Sequence, residues 1–263
     1  LGTGTYFVGG SPSDSAYMNG YISNFRLVNG TAVYTTTFTP PTAPLTAVTN
    51  TALLLGMSNG AIFDNAILNN LETVASAQIS TSTFKYGTGA LKFDGTGDYL
   101  PTPPKTAFVL GSADFTIECW LYNISGNPYF AGQTNAAVSS TSFFMLVSGG
   151  DLYSAIRGTD AANKTCISSG APITNTTWHH IAFVRDGNTL RQYINGVQNG
   201  TFNVTGITAN TSTGQLAVGA WGEYSVDRLN GYIDDFRFTK GICRYPSGTT
   251  FTPPTAAFPN SGP

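Results

Sequence analysis

The chain has little charge. Of its 263 residues only 10% are Asp, Glu, Lys or Arg, against roughly 25% in an ordinary globular protein. The twelve basic residues are scattered and the net charge is −2. No Lys/Arg stripe exists to neutralise a phosphate backbone, so no nucleic-acid partner is expected. No apolar run approaches the ~18 residues of a membrane-spanning helix, so no membrane span is expected. Cys119, Cys166 and Cys243 form an odd set without CxxC spacing, which supports neither a zinc site nor a disulfide framework. Cys119 alternates with Phe115, Ile117 and Leu121 and reads as a small buried hydrophobe. The chain opens at Leu1 rather than Met, so residue 1 is not read as the translational start.

Glycine, threonine, asparagine and aromatic residues fill the gap; aromatics alone reach 13%. Disorder would combine low hydrophobicity with high net charge. This composition reads instead as β-sheet joined by polar turns, of the kind found in extracellular and assembly proteins.

An internal repeat organises the chain. Residues 18–30 read MNGYISNFRLVNG and residues 229–241 read LNGYIDDFRFTKG, an offset of about 211 residues. Each copy then reaches a tyrosine (Tyr34, Tyr245) and ends in FTPPTA, at Phe38–Ala43 and Phe251–Ala256. Residues 1–45 are therefore expected to be the closing strands of a preceding repeat plus a Pro-rich linker, with a complete domain at 46–258 and a tail at 259–263. Strands carrying Tyr6, Val8, Tyr21, Ile22, Phe25 and Leu27 cannot bury those side chains alone. Their partner must be a preceding segment, the complete domain or another subunit. FTPPTA reads as an extended exit spacer, because two prolines fix φ and remove backbone donors. A new domain then opens with Thr51–Leu55.

Within the complete unit, period-two alternation marks about ten short strands separated by Gly, Asn and Asp turns. Phe115–Tyr122 is one. Ser142–Val147 and Leu152–Arg157 form a hairpin, as do Trp178–Arg185 and Thr189–Ile194, the latter strand ending in the turn Asn195-Gly196. One helical turn is expected at Ala66–Leu71.

Four strings, GTGALKFDGTGDYL (87–100), SADFTIECWLY (112–122), TTWHHIAFVRDGNTLRQYINGV (176–197) and LNGYIDDFRFTKGICRY (229–245), resemble the laminin-G-like branch of the concanavalin A-like lectin/glucanase superfamily. The resemblance implies an all-β fold, a two-sheet antiparallel jelly-roll sandwich, with Trp178 and one neighbouring histidine packed between the sheets. It also implies a module that binds glycans or proteins. Tandem copies with these YIDDFR and FTPPT strings look like domains of phage fibres and capsid or tail appendages.

Catalysis is not expected. Glycoside cleavage usually needs two carboxyls flanking the bond, and the three glutamates, Glu72, Glu118 and Glu223, form no Glu-x-Asp-x-x-Glu string. Glu118 alternates with Trp120 and Tyr122 and could face a groove, yet has no paired carboxylate. His179 and His180 are adjacent on a strand, point to opposite faces, and cannot readily share a metal. No cofactor is expected, with Ca²⁺ the one candidate, held at Asp234 and Asp235 with help from Asp94, Asp98 or Asp227. The first repeat has Ser23-Asn24 there, so the fold does not need the charges; a turn acid or an ion pair with Arg237 is the plainer reading.

The loop 220–228 gathers Trp221, Glu223, Tyr224, Asp227 and Arg228. An amphipathic ring there suits sugar stacking, and equally suits anchoring a neighbouring subunit. The expectation is a non-catalytic surface or virion appendage module, extracellular or on a virion surface, engaging a glycan or host-surface ligand and belonging to an oligomer or larger assembly. A purely architectural module is the alternative, and a glycoside hydrolase a distant one.

Overall fold

The computed structural model describes residues 10–11, 16–19, 22, 25–43, 45–46, 48–55, 73–102, 106–135, 140–170, 172–212, 214–222, 227–246, 248 and 250–259. Tyr6, Val8, Tyr21 and the helical turn expected at 66–71 lie outside the described residues. Two compact units emerge, Leu1–Phe63 and Asp64–Pro263.

The first unit holds two antiparallel pairs. Strand β1 (Gly10–Ser11) pairs with β2 (Ala16–Tyr17), and β3 (Phe25–Val28) with β4 (Thr51–Leu55). Strand β4, which the sequence places at the opening of the complete repeat, thus lies on the closing strand of the partial one. Tyr34 stacks on Phe38 with centroids 3.8 Å apart and planes 13° from parallel.

The second unit is the sandwich. Its seven-stranded sheet runs β15 (Val197–Asn203), β14 (Thr189–Ile194), β13 (Trp178–Asp186), β8 (Phe115–Ser125), β17 (Asn230–Lys240), β6 (Ala90–Asp94), β5 (Gln78–Ser80). Its six-stranded sheet runs β12 (Asn163–Ile167), β11 (Asp151–Arg157), β10 (Phe143–Ser148), β9 (Tyr129–Gln133), β16 (Leu216–Val218), β7 (Leu100–Pro101). Every ladder is antiparallel. Both hairpins expected from alternation form within about two residues of the expected ends. Inward-facing Phe93, Phe115, Ile117, Phe130, Phe143 and Phe183 are fully buried between the sheets. Burial of such side chains, each contributing about 1.5–3 kcal/mol, is the main force holding the layers together.

The Asn195-Gly196 turn has φ of 51° and 79°, both left-handed, as a two-residue type I′ hairpin between β14 and β15 requires. Asn195 also works as a clamp. Its Oδ1 accepts from the His180 N–H at 2.9 Å, and its amide nitrogen lies 3.1 Å from His179 Nδ1.

Two expectations need correction. Trp178 is not between the sheets: it pairs in register with Tyr122 on the outer face of the seven-stranded sheet. The core-facing residues of β13 are Ile181 and Phe183, and the period of two puts Trp178 and His180 on the opposite side. The second FTPPTA is not a free spacer. It doubles back over that outer face, with the Phe251 N–H bonded to the Gly196 carbonyl at 2.9 Å and the Tyr86 hydroxyl to the Pro254 carbonyl at 2.7 Å. Lacking ladder donors, the prolines keep the segment out of the sheet but leave it free to lie across one.

Candidate functional site

The outer face of the seven-stranded sheet has two parts with different fates. On β8, Thr116, Glu118, Trp120 and Tyr122 point outward, opposite the core residues Ile117, Cys119 and Leu121. The strap formed by residues 243–258 closes over the first part. Tyr245 stacks on Phe251 at 3.8 Å and 4°, the same ring pair that Tyr34 and Phe38 make in the first unit. Phe251 and Phe258 set their edges against His180, and Phe258 lies under the Arg237 guanidinium at 4.0 Å. Tyr193, Ala182 and Val184 complete this secondary cluster.

Glu118 is sealed beneath the strap with no exposed surface. Arg237 donates to Oε1 from Nε at 2.9 Å and lies at 2.8 Å through Nη2, and the Tyr245 hydroxyl donates to Oε2 at 2.7 Å. His180 Nε2 stands 3.3 Å from Oε2, close but outside good hydrogen-bond alignment. Burial alone would raise the Glu118 pKa; His180, Arg237 and the Tyr245 hydroxyl outweigh it and hold the carboxyl below the usual glutamate range. The groove-facing role considered for Glu118 is therefore corrected: a pinned, fully buried carboxylate cannot reach a glycosidic oxygen.

The second part of the face remains partly open. Trp178 on β13, Tyr122 on β8, Tyr232 on β17 and Lys92 on β6 sit in one continuous row, each directly opposite the next. All four are half-buried. Tyr122 lies 5.3 Å from Trp178, tilted at 58°, and 5.5 Å from Tyr232, edge-on at 78°. Neighbouring strands are about 4.8 Å apart, so three rings and a cation follow one another at the spacing of adjacent side chains. Sequence reasoning missed this row because its members are up to 140 residues apart; the signal available was outward alternation on four strands.

Trp221 is buried, 7% exposed, rather than displayed on a loop. It lies on the outer face of the six-stranded sheet, stacked on Tyr129 at 4.7 Å and 19° and packed against Phe144 at 5.2 Å. Gly132 makes room for it: a Cβ there would come 2.5 Å from the indole Cδ1. Arg228 is spent on the Gly97 carbonyl at 2.7 Å and on the Tyr99 ring at 4.4 Å. Asp227 is exposed, with φ of 48°. Glu223 and Tyr224 lie outside the described residues.

Asp234 and Asp235 are engaged separately. Asp234 Oδ2 accepts from the Lys85 and Tyr86 N–H groups at 2.7 and 3.0 Å, and Asp235 Oδ2 from the Phe258 N–H at 3.0 Å. Desolvation, only partly offset by that N–H, pushes the Asp235 carboxyl up to about 6. Asp98 bonds the Ser76 and Asp94 N–H groups. Among the described residues no three Asp, Glu, His or Cys side chains gather as a metal cluster would.

The sequence profile described as the concanavalin A-like lectin/glucanases superfamily, of laminin-G type, matches residues 94–242. Similar solved structures include the binding domain of Paraclostridial Mosquitocidal Protein 1 (14% identity, TM-score 0.56, covering 68% of this chain and 45% of that one). The receptor binding domain of botulinum neurotoxin D is also similar (12% identity, TM-score 0.53, covering 66% and 45%). So is the botulinum neurotoxin serotype D ligand binding domain in complex with N-acetylneuraminic acid (10% identity, TM-score 0.52, covering 66% and 43%). At these identities the likeness is one of fold, and the chain spans less than half the length of each. No curated protein matches in sequence. The profile covers more than half the chain, four motifs stand in order and two antiparallel sheets enclose one core: the chain belongs to the concanavalin A-like lectin/glucanase superfamily, as a laminin-G-type domain.

Proposed function

We propose that this chain is a non-catalytic recognition module of an extracellular or virion-surface appendage, and that it binds a glycan along the row Trp178–Tyr122–Tyr232–Lys92. The observation that carries this reading is the division of a single sheet face. Half is closed by the strap around Glu118; the other half leaves three rings and a cation partly open in one line. Tyr and Trp supply large contact area at low entropic cost, with one apolar face and a polar handle. A sugar offers the complement, an apolar C–H face edged by hydroxyls. The loop residues Trp221, Glu223, Tyr224, Asp227 and Arg228 were the sequence's choice for this role; burial of Trp221 and the internal bonds of Arg228 favour the sheet row instead.

The test is a glycan array probed with the intact chain and with Trp178→Ala. The reading expects a defined set of glycans retained by the wild type and lost by the variant, with unchanged thermal stability. Retention of every hit by the variant overturns the row as the site.

A further inference from the structure

Two segments of the chain are built as straps and, among the described residues, one of them has a face to close. Residues 245–256 read YPSGTTFTPPTA and residues 34–43 read YTTTFTPPTA. The link differs in length, yet each segment folds its aromatic pair into the same stack. Tyr245 lies on Phe251 at 3.8 Å and 4°, and Tyr34 on Phe38 at 3.8 Å and 13°. In both, the arginine of the preceding FR string stands beside the tyrosine hydroxyl. Arg237 and Tyr245 share Glu118, and Arg26 Nη2 reaches the Tyr34 hydroxyl at 3.5 Å. The cover is what differs. Tyr245 and Phe251 are half-buried against Tyr193, Ala182 and Val184, whereas Tyr34 and Phe38 are 46% and 49% exposed. The described bonds of Arg26 go to the Thr46 carbonyl at 2.7 Å and to Tyr34, none to a carboxylate. Asp14, the single acid in the sequence of the first unit, corresponds to Ser225 ahead of β17 and not to Glu118.

We propose that residues 34–43 close the outer sheet face of another laminin-G-type sandwich, one without a strap of its own, as residues 243–258 close the face of this one. The face in this chain is already taken: Tyr245 and Phe251 fill it, and the Phe251 N–H is bonded to the Gly196 carbonyl. A ring pair stacked before docking has little left to order when it docks, and Tyr and Phe bury large apolar areas. The chemistry of the partner follows from the face seen here. It offers a tyrosine and small aliphatic side chains beside an Asn-Gly turn, and a strand carboxylate within reach of the Tyr34 hydroxyl. Arg26 makes the match one of charge as well, since a carboxylate at that hydroxyl accepts from both side chains, as Glu118 accepts from Tyr245 and Arg237. The inference is independent of the glycan row.

The experiment uses full-length chains, one of them turned into a receptor. Tyr245→Ala/Phe251→Ala opens its face, and Tyr34→Ala/Phe38→Ala silences its own first strap. A cooperative thermal transition shows that the receptor is folded; where it is lost, Phe251→Ala alone opens the face in place of the double change. Sedimentation velocity with fluorescently labelled wild-type chain reads the complex. The proposal expects wild type to bind the receptor and Tyr34→Ala/Phe38→Ala chains to bind it at least about tenfold more weakly. Wild type should not bind Tyr34→Ala/Phe38→Ala chains, whose second strap still covers the face. Benzoylphenylalanine at position 38 of the donor should cross-link to residues 182–196 of the receptor. The proposal is overturned if a folded receptor takes up no wild-type chain, or if donors with and without Tyr34 and Phe38 bind equally. It is equally overturned if wild type binds the closed face as well as the open one, or if the cross-link lands on another surface.

Discussion

Tyr245 donates its hydroxyl to Glu118 Oε2 at 2.7 Å, tying the strap that follows β17 to the middle of the central strand β8. The bond explains why a charged residue stands in a strand buried on both faces. Glu118 is the point at which strap, Arg237 and His180 meet, and the strap is the lid that makes its burial possible. Its cost in desolvation is offset by the two-point contact with Arg237 and by the Tyr245 hydroxyl.

Removing the carboxylate charge is therefore expected to hurt. Glu118→Gln leaves Arg237 without its counter-charge and should lower unfolding free energy by about 3 kcal/mol, while Tyr245→Phe, which deletes one hydrogen bond, should cost about 1 kcal/mol. Urea denaturation read by circular dichroism measures both.

Acid and base act on this face with opposite sign. The Glu118 pKa is lowered in the fold, so its contribution is present above the unfolded glutamate pKa and is lost as pH falls through the lower folded value. Asp235 is raised to about 6. Its contribution is complete below its unfolded pKa and is lost as pH rises through about 6. Between pH 4 and pH 7 the wild type should therefore lose stability that Asp235→Asn retains, and below pH 4 the variant should show no advantage. Thermal melts of both proteins across that range read the difference directly.

The strap docks where Gly196 has no side chain. A Cβ there would collide with the Phe251 carbonyl, and φ of 79° already disfavours any other residue. Gly196→Ala should destabilise the domain by about 1–3 kcal/mol and speed hydrogen exchange at the Phe251 amide. Exchange at the core of β8 should slow or quicken only with global stability.

Trp221 carries a different expectation from the one its loop position suggested. Stacked on Tyr129 and against Phe144, it is a packing residue, and Trp221→Ala should cost about 3 kcal/mol or more. Chemical denaturation distinguishes this from a binding defect in a stable protein.

Much of this was legible in the residues. Alternation in Phe115–Tyr122 and Trp178–Arg185 gave strands, and Asn195-Gly196 gave its hairpin turn, because those signals are local. The repeat was legible too, through FTPPTA and the paired NGYI strings. The destination of the second FTPPTA was not, since two prolines specify an extended backbone but not the surface on which it lies. The face occupied by Trp178 was misjudged because the family resemblance implied a place between the sheets. The register with Ile181 and Phe183, two and four residues past His179, already placed Trp178 outside. Nothing local could reveal that Trp178, Tyr122, Tyr232 and Lys92 stand in one row, because strand order is a long-range property.

Tryptophan fluorescence during titration with a glycan retained on the array tests the central claim most directly, because Trp178 lies in the row and Trp221 on the opposite sheet. The account predicts a saturable ligand-dependent change that survives Trp221→Phe and vanishes in Trp178→Phe. A change that persists in Trp178→Phe and vanishes in Trp221→Phe would contradict it and return recognition to the 220–228 loop.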